Sequence, residues 1–120
     1  MASVLVVDDD SGVRQIARVA LSLEGYEVAL ASDGLEALDV LSHESIDVIV
    51  LDLDLPGMDG PTALEEARRE GYDGRVIILS AFGASAAAKE LQADAAVAKP
   101  FDPFDLVSRI DALVGALPSG

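Results

Sequence analysis

The sequence predicts an α/β domain of three layers, in which a parallel β-sheet lies between two layers of helices. Short apolar runs alternate along the chain with amphipathic stretches of helical spacing, which is the pattern of repeated β-α units. Most of these runs are continuously apolar, and this favours strands that are covered on both faces. With 120 residues the chain has the size of one compact domain. We expect one domain over residues 1–120, ending in a short tail at residues 117–120.

Five of the apolar runs have the length and composition of strands. They lie at residues 4–7, 27–31, 48–51, 76–79 and, with a weaker pattern, 95–98. Because the connections between them are short, we expect successive strands to be joined by right-handed crossovers.

The first two helices are predicted from apolar residues that recur every three or four positions. Ser11 can cap the first helix, and Gly25 follows its end. Asp33 and Glu36 have the spacing of a capping box at the start of the second helix. The two apolar stripes are Val13, Ile16, Ala17, Ala20 and Leu21, and then Leu35, Ala37, Leu38 and Leu41.

The other helices are predicted mainly from their ends. Pro61 suits the first position of the third helix, and Gly71 terminates it. Asp102 and Pro103, a capping residue and a helix-starting proline, begin the last helix. The fourth helix, near residues 85–92, has the weakest pattern. The residues that the last helix is expected to bury are Phe104, Val107, Ile110 and Val114.

The charge balance of the chain is strongly acidic. Eight Lys and Arg residues stand against 22 Asp and Glu residues, which gives a formal net charge of -14. Such a field repels polyanions and attracts cations and basic protein surfaces, so we expect no direct contact with nucleic acid. The sequence has neither a signal-peptide pattern nor an apolar segment of the roughly 20 residues that span a membrane. We therefore expect a cytoplasmic protein without membrane contact.

Polar residues stand at the ends of four predicted strands. In a parallel sheet these ends share one edge, where ligands of α/β domains bind. The residues are Asp8, Asp9 and Asp10 after the first strand, Asp52 and Asp54 after the third, Ser80 at the end of the fourth and Lys99 at the end of the fifth.

The acidic residues at this edge predict a bound divalent cation. Two carboxylates about 4 Å apart repel by about 1 kcal/mol in water and by several times more in a partly buried site. An all-oxygen ligand set with room for water and a phosphate oxygen favours Mg²⁺, which Mn²⁺ could replace. A metal beside a carboxylate, a hydroxyl and an ammonium is typical of phosphoryl transfer. Asp52 would be the nucleophile, and Ser80 and Lys99 would bind the phosphoryl oxygens.

Four segments of the chain resemble, in the same order, the motifs of response-regulator receiver domains. They are VLVVDDD at residues 4–10, VIVLDLDLPGMDG at 48–60, ILSA at 78–81 and AKPFDPFDL at 98–106. The resemblance implies a doubly wound, flavodoxin-like sheet with strand order 2-1-3-4-5 and five helices. It also implies phosphorylation by a histidine kinase or a histidine phosphotransfer protein, and a downstream protein as the target.

The resemblance assigns a role to each residue of the predicted site. Mg²⁺ would be held by Asp8, Asp9 and Asp52 together with the backbone carbonyl of Asp54. Asp52 would carry an acyl phosphate. Ser80 would follow the phosphoryl group on activation, and Lys99 would be its ion-pair partner.

Two features depart from the usual pattern of that family. Many receivers have an aromatic residue three positions before the Lys, and this position is Ala96 here. The interval from Ser80 to Lys99 is also shorter than usual by about one helical turn. We therefore expect a shortened or rebuilt fourth helix and no aromatic switch at position 96. Phe82 could pack locally or fill part of the space left by Ala96, and the sequence does not decide between the two.

Two other functions fit parts of the sequence. Asp52-Leu53-Asp54 after an apolar strand is similar to the nucleophile motif of haloacid-dehalogenase-type phosphatases, although in that family the nucleophile usually follows the first strand. Asp8 and Asp9 also come too early for that family. A receiver-like scaffold that no longer uses phosphate is disfavoured by the intact acidic residues. We therefore favour a phosphoacceptor signalling domain, and not a turnover enzyme.

Overall fold

Strands and helices alternate along residues 2–115, which are the residues that the computed structural model describes. The strands are β1 (Ser3–Val7), β2 (Glu27–Ala31), β3 (Val48–Asp52), β4 (Arg75–Ser80) and β5 (Ala95–Ala98). The helices are α1 (Ser11–Leu23), α2 (Gly34–His43), α3 (Gly60–Arg69), α4 (Ala84–Glu90) and α5 (Pro103–Gly115). The expected tail at residues 117–120 lies outside the described residues.

The five strands form one parallel sheet in the order β2-β1-β3-β4-β5, which confirms the predicted topology. The winding direction reverses between β1 and β3, because the chain moves to one side of β1 to make β2 and then returns to add β3 on the other side. In doubly wound sheets this reversal opens a crevice at the carboxyl ends of the two strands. The fold thus places the ends of β1 and β3 at a binding position.

An apolar core lies on each face of the sheet. Successive strand residues point to opposite faces, so Val4 and Val6 pack toward α1 and α5, whereas Leu5 and Val7 pack in the second core with α2 and α3. This arrangement explains why the strands are continuously apolar. Within residues 2–115, no helix has both the length and the apolar character needed to cross a membrane.

The helix starts agree with the sequence except in two helices. α3 begins at Gly60 after its N-cap Asp59, so Pro61 is its second residue and not its first. In α1 the capping residue differs. Asp10, and not Ser11, is the N-cap, because Asp10 keeps an extended backbone and its carboxylate accepts a hydrogen bond from the Gly12 amide at 2.8 Å. Ser11 is already the first helical residue. The prediction for α2 is confirmed, since the Asp33 carboxylate accepts from the Glu36 amide at 2.8 Å.

The buried face of α5 differs from the prediction. Phe104 is 75% exposed, whereas Leu106, which the prediction omitted, is fully buried beside Ile110. Residues three or four apart share a helix face, and the phase of α5 against the sheet puts Leu106 and Ile110 inside. Ile16 and Leu35 likewise belong to predicted apolar stripes but are largely exposed. The sequence pattern located the buried face of each helix, but it included residues at the edge of that face that are exposed.

The short interval before Lys99 produces an α4 of seven residues, as expected. The carboxyl end of this helix is attached to α3, because the Arg68 guanidinium donates to the carbonyls of Leu91 and Gln92. Gln92 has a positive φ of 56°, which turns the chain out of the helix. Arg68 therefore satisfies two carbonyls that have no hydrogen-bond donor within the helix.

We expect Leu106→Ala to lower the free energy of unfolding by about 2–5 kcal/mol, because it empties a fully buried position. Phe104→Ala should change stability by no more than about 0.5 kcal/mol, because the side chain is mostly in solvent. Urea unfolding of the two variants and the parent measures the difference. Equal losses would show that Phe104 is buried after all.

Candidate functional site

Three carboxylates meet at the carboxyl ends of β1 and β3. Asp8 and Asp9 follow β1, and Asp52 is the last residue of β3. Each offers one oxygen, and these oxygens all lie within 4.8 Å of one another. Asp8 and Asp52 are buried, whereas Asp9 is exposed. The structure thus brings together three of the residues that the sequence placed in the site.

Lys99, just beyond the end of β5, reaches into the same cluster. Its Nζ donates a hydrogen bond to Asp52 Oδ2 at 3.0 Å and lies 2.6 Å from Asp8 Oδ2. The second contact has the distance of an ion pair without the geometry of a hydrogen bond. Asp8 Oδ2 is therefore a buried oxygen that lacks a hydrogen-bond partner among the described residues.

Burial and charge act against each other in this pocket. Burial raises the pKa of Asp8 above its usual value, although Lys99 and the Asp10 amide pull it down. Burial lowers the pKa of Lys99, but its contacts with Asp8 and Asp52 outweigh that effect and raise it. Lys99 is therefore firmly protonated, and it faces more carboxylates than it can neutralise. Such a pocket stabilises additional positive charge.

The two buried carboxylates are each fixed by the loop that follows them. Asp8 Oδ1 accepts from the Asp10 amide at 3.0 Å, and Asp52 Oδ1 accepts from the Asp54 amide at 3.1 Å. Asp54 adjoins the site through its backbone, and its carboxylate does not belong to the cluster found within residues 2–115. The role predicted for Asp54 concerns its backbone carbonyl and stays a prediction.

Ser80 is buried at the end of β4, the strand that pairs with β3. Its hydroxyl donates to the Phe82 carbonyl at 2.7 Å and accepts from the Phe82 amide at 3.2 Å. The hydroxyl is thus engaged with the following loop. The Phe82 side chain is 90% exposed, so neither of the two packings that the sequence left open occurs.

Gly60 is a residue of the site that the sequence analysis did not single out. A Cβ at this position would lie 2.4 Å from the Asp52 carbonyl oxygen and 2.8 Å from Leu53 Cα. Only glycine lets α3 begin this close to the end of β3. The position between the capping Asp59 and Pro61 was the available clue in the sequence.

The arrangement fits a small divalent cation. Oxygen ligands of one Mg²⁺ lie about 2.1 Å from the ion, and therefore at most about 4.2 Å apart. Three carboxylate oxygens within 4.8 Å approach this spacing. The buried Asp8 Oδ2, which already contacts the Lys99 ammonium, would gain a second positive partner. The donor set is all oxygen, which suits a hard cation.

A doubly wound sheet with a pocket of carboxylates and one lysine at its switch point is the arrangement that the resemblance of the sequence to receiver domains implies. The family described as the response regulator receiver domain matches residues 4–111, and the chain belongs to this family.

Curated relatives match most of this chain. The probable transcriptional regulator ycf27 of Guillardia theta is 42% identical over 114 residues, which cover 92% of this chain and 44% of that protein. Response regulator MprA of Mycobacterium sp. (strain KMS) is 39% identical over 114 residues, which cover 92% of this chain and 50% of that protein. The chain therefore spans about half the length of the curated relatives it matches.

Solved structures of similar proteins share the fold. Chemotaxis protein CheY4 of Vibrio cholerae is 30% identical with a TM-score of 0.87, and the match covers 94% of this chain and 98% of that chain. Response regulator TrrA of Thermotoga maritima, in complex with Mg(2+)-BeF, is 32% identical with a TM-score of 0.83, over 94% and 99% of the two chains. The chain is thus a receiver domain with a phosphoacceptor role in two-component signalling. A haloacid-dehalogenase-type phosphatase is not favoured.

We expect Gly60→Ala to destabilise the protein by about 1–3 kcal/mol, because the added methyl group meets the backbone of Asp52 and Leu53. Gly115→Ala is the control, since a Cβ there meets no atom of the described residues within 4 Å. Thermal unfolding compares the two variants. A neutral Gly60→Ala would contradict the close contact between α3 and β3.

Without divalent metal, Asp8→Asn should stabilise the protein at pH 7 by on the order of 1 kcal/mol. Because folding raises the pKa of Asp8, the folded state favours its protonated form, and the wild type loses stability as the pH rises through the folded pKa. The advantage of Asn should therefore disappear in acid.

The measurement is urea unfolding in EDTA over a series of pH values. Asp9→Asn makes the same charge change at the exposed neighbour and serves as the control. A loss of stability in Asp8→Asn at neutral pH would show that the Lys99 contact outweighs the cost of burial.

Proposed function

We propose that residues 1–120 form one receiver domain in which Asp52 accepts a phosphoryl group from a phosphohistidine. The donor would be a histidine kinase or a histidine phosphotransfer protein, and phosphorylation would change the contacts of the domain with a downstream protein. The observation that carries this proposal is the position of Asp52. Its carboxylate lies at the end of β3, in one pocket with a second buried carboxylate and the Lys99 ammonium.

In the proposed reaction a carboxylate oxygen of Asp52 attacks the phosphorus atom. A P–O bond forms while the P–N bond of the donor breaks, and the electron pair leaves on the imidazole nitrogen. The ionised carboxylate needs no general base. The Asp54 amide and Lys99 Nζ hold one oxygen each, so the side chain is already oriented. Lys99 and the Ser80 hydroxyl would then donate to the phosphoryl oxygens.

The proposed metal is Mg²⁺, with Mn²⁺ as a substitute. Asp8, Asp9 and Asp52 would hold it with their carboxylates, and Asp54 with its backbone carbonyl. When bound, the ion would offset the repulsion between these carboxylates and the phosphoryl group. The carboxylate cluster supports this assignment, as does the Mg(2+)-BeF complex of the similar TrrA.

We also propose that the domain acts as a signalling switch, which gains and loses its own phosphoryl group without turnover of a substrate. A net charge of -14 disfavours direct contact of this domain with nucleic acid. The transcriptional regulator named among the relatives is a protein of about twice this length. We place the domain in the cytoplasm, without membrane contact, where the proposed phosphohistidine donor would act.

We expect acetyl phosphate and Mg²⁺ to add the mass of one phosphoryl group to the protein, as measured by intact mass spectrometry. Asp52→Ala should lose this gain completely, because the attacking oxygen is gone. Asp39→Ala, which removes an exposed carboxylate on α2, is the control and should keep it. A gain of equal size in Asp52→Ala would place the phosphoryl group elsewhere.

A further inference from the structure

The Ser80 hydroxyl has a single proton, and the following loop uses it. The hydroxyl donates this proton to the Phe82 carbonyl at 2.7 Å. A serine hydroxyl has one proton to donate, whereas phosphoryl oxygens only accept. Ser80 therefore cannot donate to the phosphoryl group on Asp52 and to Phe82 at the same time. If Ser80 donates to the phosphoryl group, the Phe82 carbonyl loses the hydrogen bond that it accepts from Ser80.

Phe82 lies in a loop that is lightly attached. Residues 81–83 connect β4 to α4, and we call them the β4–α4 loop. Within residues 2–115, the Phe82 backbone makes two hydrogen bonds, both with the Ser80 hydroxyl. The N-cap of α4 is Gly83, which adopts a left-handed conformation with φ 66°. Because glycine has no side chain, the start of α4 has no side-chain capping hydrogen bond from its N-cap residue. The Ser80 hydroxyl is therefore a main restraint on this loop.

The two ends of α4 differ in how they are attached. Arg68 attaches the turn after the helix to α3 through the carbonyls of Leu91 and Gln92. The beginning of the helix follows directly on the β4–α4 loop. A change at Ser80 should thus move the beginning of α4 while its end stays fixed.

Ala96 cannot report such a change. It lies on β5 opposite Ile78, and its methyl group has no alternative rotamer to adopt. Phe82, two positions after Ser80, is the aromatic residue nearest to it in the chain, and it is 90% exposed. Aromatic side chains, Phe among them, are enriched at the cores of protein–protein interfaces.

We propose that Phe82 is the residue through which this domain displays its phosphorylation to a protein partner. The inference rests on the proposed function of Asp52. In the unphosphorylated domain the Ser80 hydroxyl holds the Phe82 backbone and thereby sets the position of the ring. When Ser80 donates to the phosphoryl group, the Phe82 carbonyl loses its donor, the β4–α4 loop rearranges, and the ring takes a new position.

Phe82→Trp provides a direct reporter, because the chain contains no Trp and the position is exposed. We expect the indole emission of this variant and its quenching by acrylamide to change when acetyl phosphate and Mg²⁺ are added, in proportion to the gain in intact mass. Phe104→Trp, an exposed aromatic position on α5, is the control and should not change. Full phosphorylation of Phe82→Trp with unchanged indole emission would overturn the proposal.

Ser80→Ala tests the restraint without any phosphate. In the Phe82→Trp background, this variant should already show altered emission at rest, whereas Ser80→Thr, which keeps the hydroxyl, should resemble the parent. In the chain that retains Phe82, hydrogen exchange of the Phe82 amide should be about tenfold faster in Ser80→Ala, since one hydrogen bond is lost.

The two experiments separate this inference from the proposed function. If resting Ser80→Ala matches the parent in indole emission and in Phe82 amide exchange, Ser80 does not restrain the loop, and the inference is wrong even if Asp52 is phosphorylated. If no Asp52-dependent mass gain occurs, the proposed function fails, and the role of Phe82 as a reporter of phosphorylation fails with it.

Discussion

The whole site depends on like charges that the fold forces together. Asp8 and Asp52 are buried where β1 and β3 end side by side, and the Lys99 ammonium contacts both carboxylates. The positive charge of Lys99 reduces the repulsion between these two carboxylates. With the exposed Asp9, however, three carboxylates face one ammonium group. Because uncompensated charge in a partly buried site is costly, the pocket is suited to a divalent cation. In the proposed function, the repulsion that costs stability is also the source of the affinity for the metal ion.

The fold separates a rigid part of the site from an adaptable one. β1 and β3 are central strands with a core on each face, so the carboxylates at their ends have well-defined positions. Gly60 adds to this rigidity by letting α3 pack directly against the Asp52 backbone. The β4–α4 loop, in contrast, is held largely by the Ser80 hydroxyl. The proposed chemistry would thus take place on the rigid elements, and the proposed conformational response would take place in the loop.

The sequence predicted those features that follow from local pattern and parallel topology. Continuous apolar runs located the strands, and the shared edge of a parallel sheet placed Asp8 and Asp52 near Lys99. What it missed depends on how elements meet in space. The exposure of Phe104 follows from the phase of α5 against the sheet, and the role of Gly60 follows from the approach of α3 to β3. Neither the orientation of α5 nor the approach of α3 to β3 can be read from the hydrophobic periodicity of the sequence.

The most direct test of the central claim is to locate the phosphoryl group chemically. Borohydride reduces an aspartyl phosphate to homoserine, so peptide mapping after treatment with acetyl phosphate and Mg²⁺ identifies the residue that carried it. We expect homoserine at position 52 alone, and none when EDTA replaces the metal. Homoserine at position 8 or 9, or unchanged labelling in EDTA, would contradict a nucleophilic Asp52 in a metal-dependent pocket.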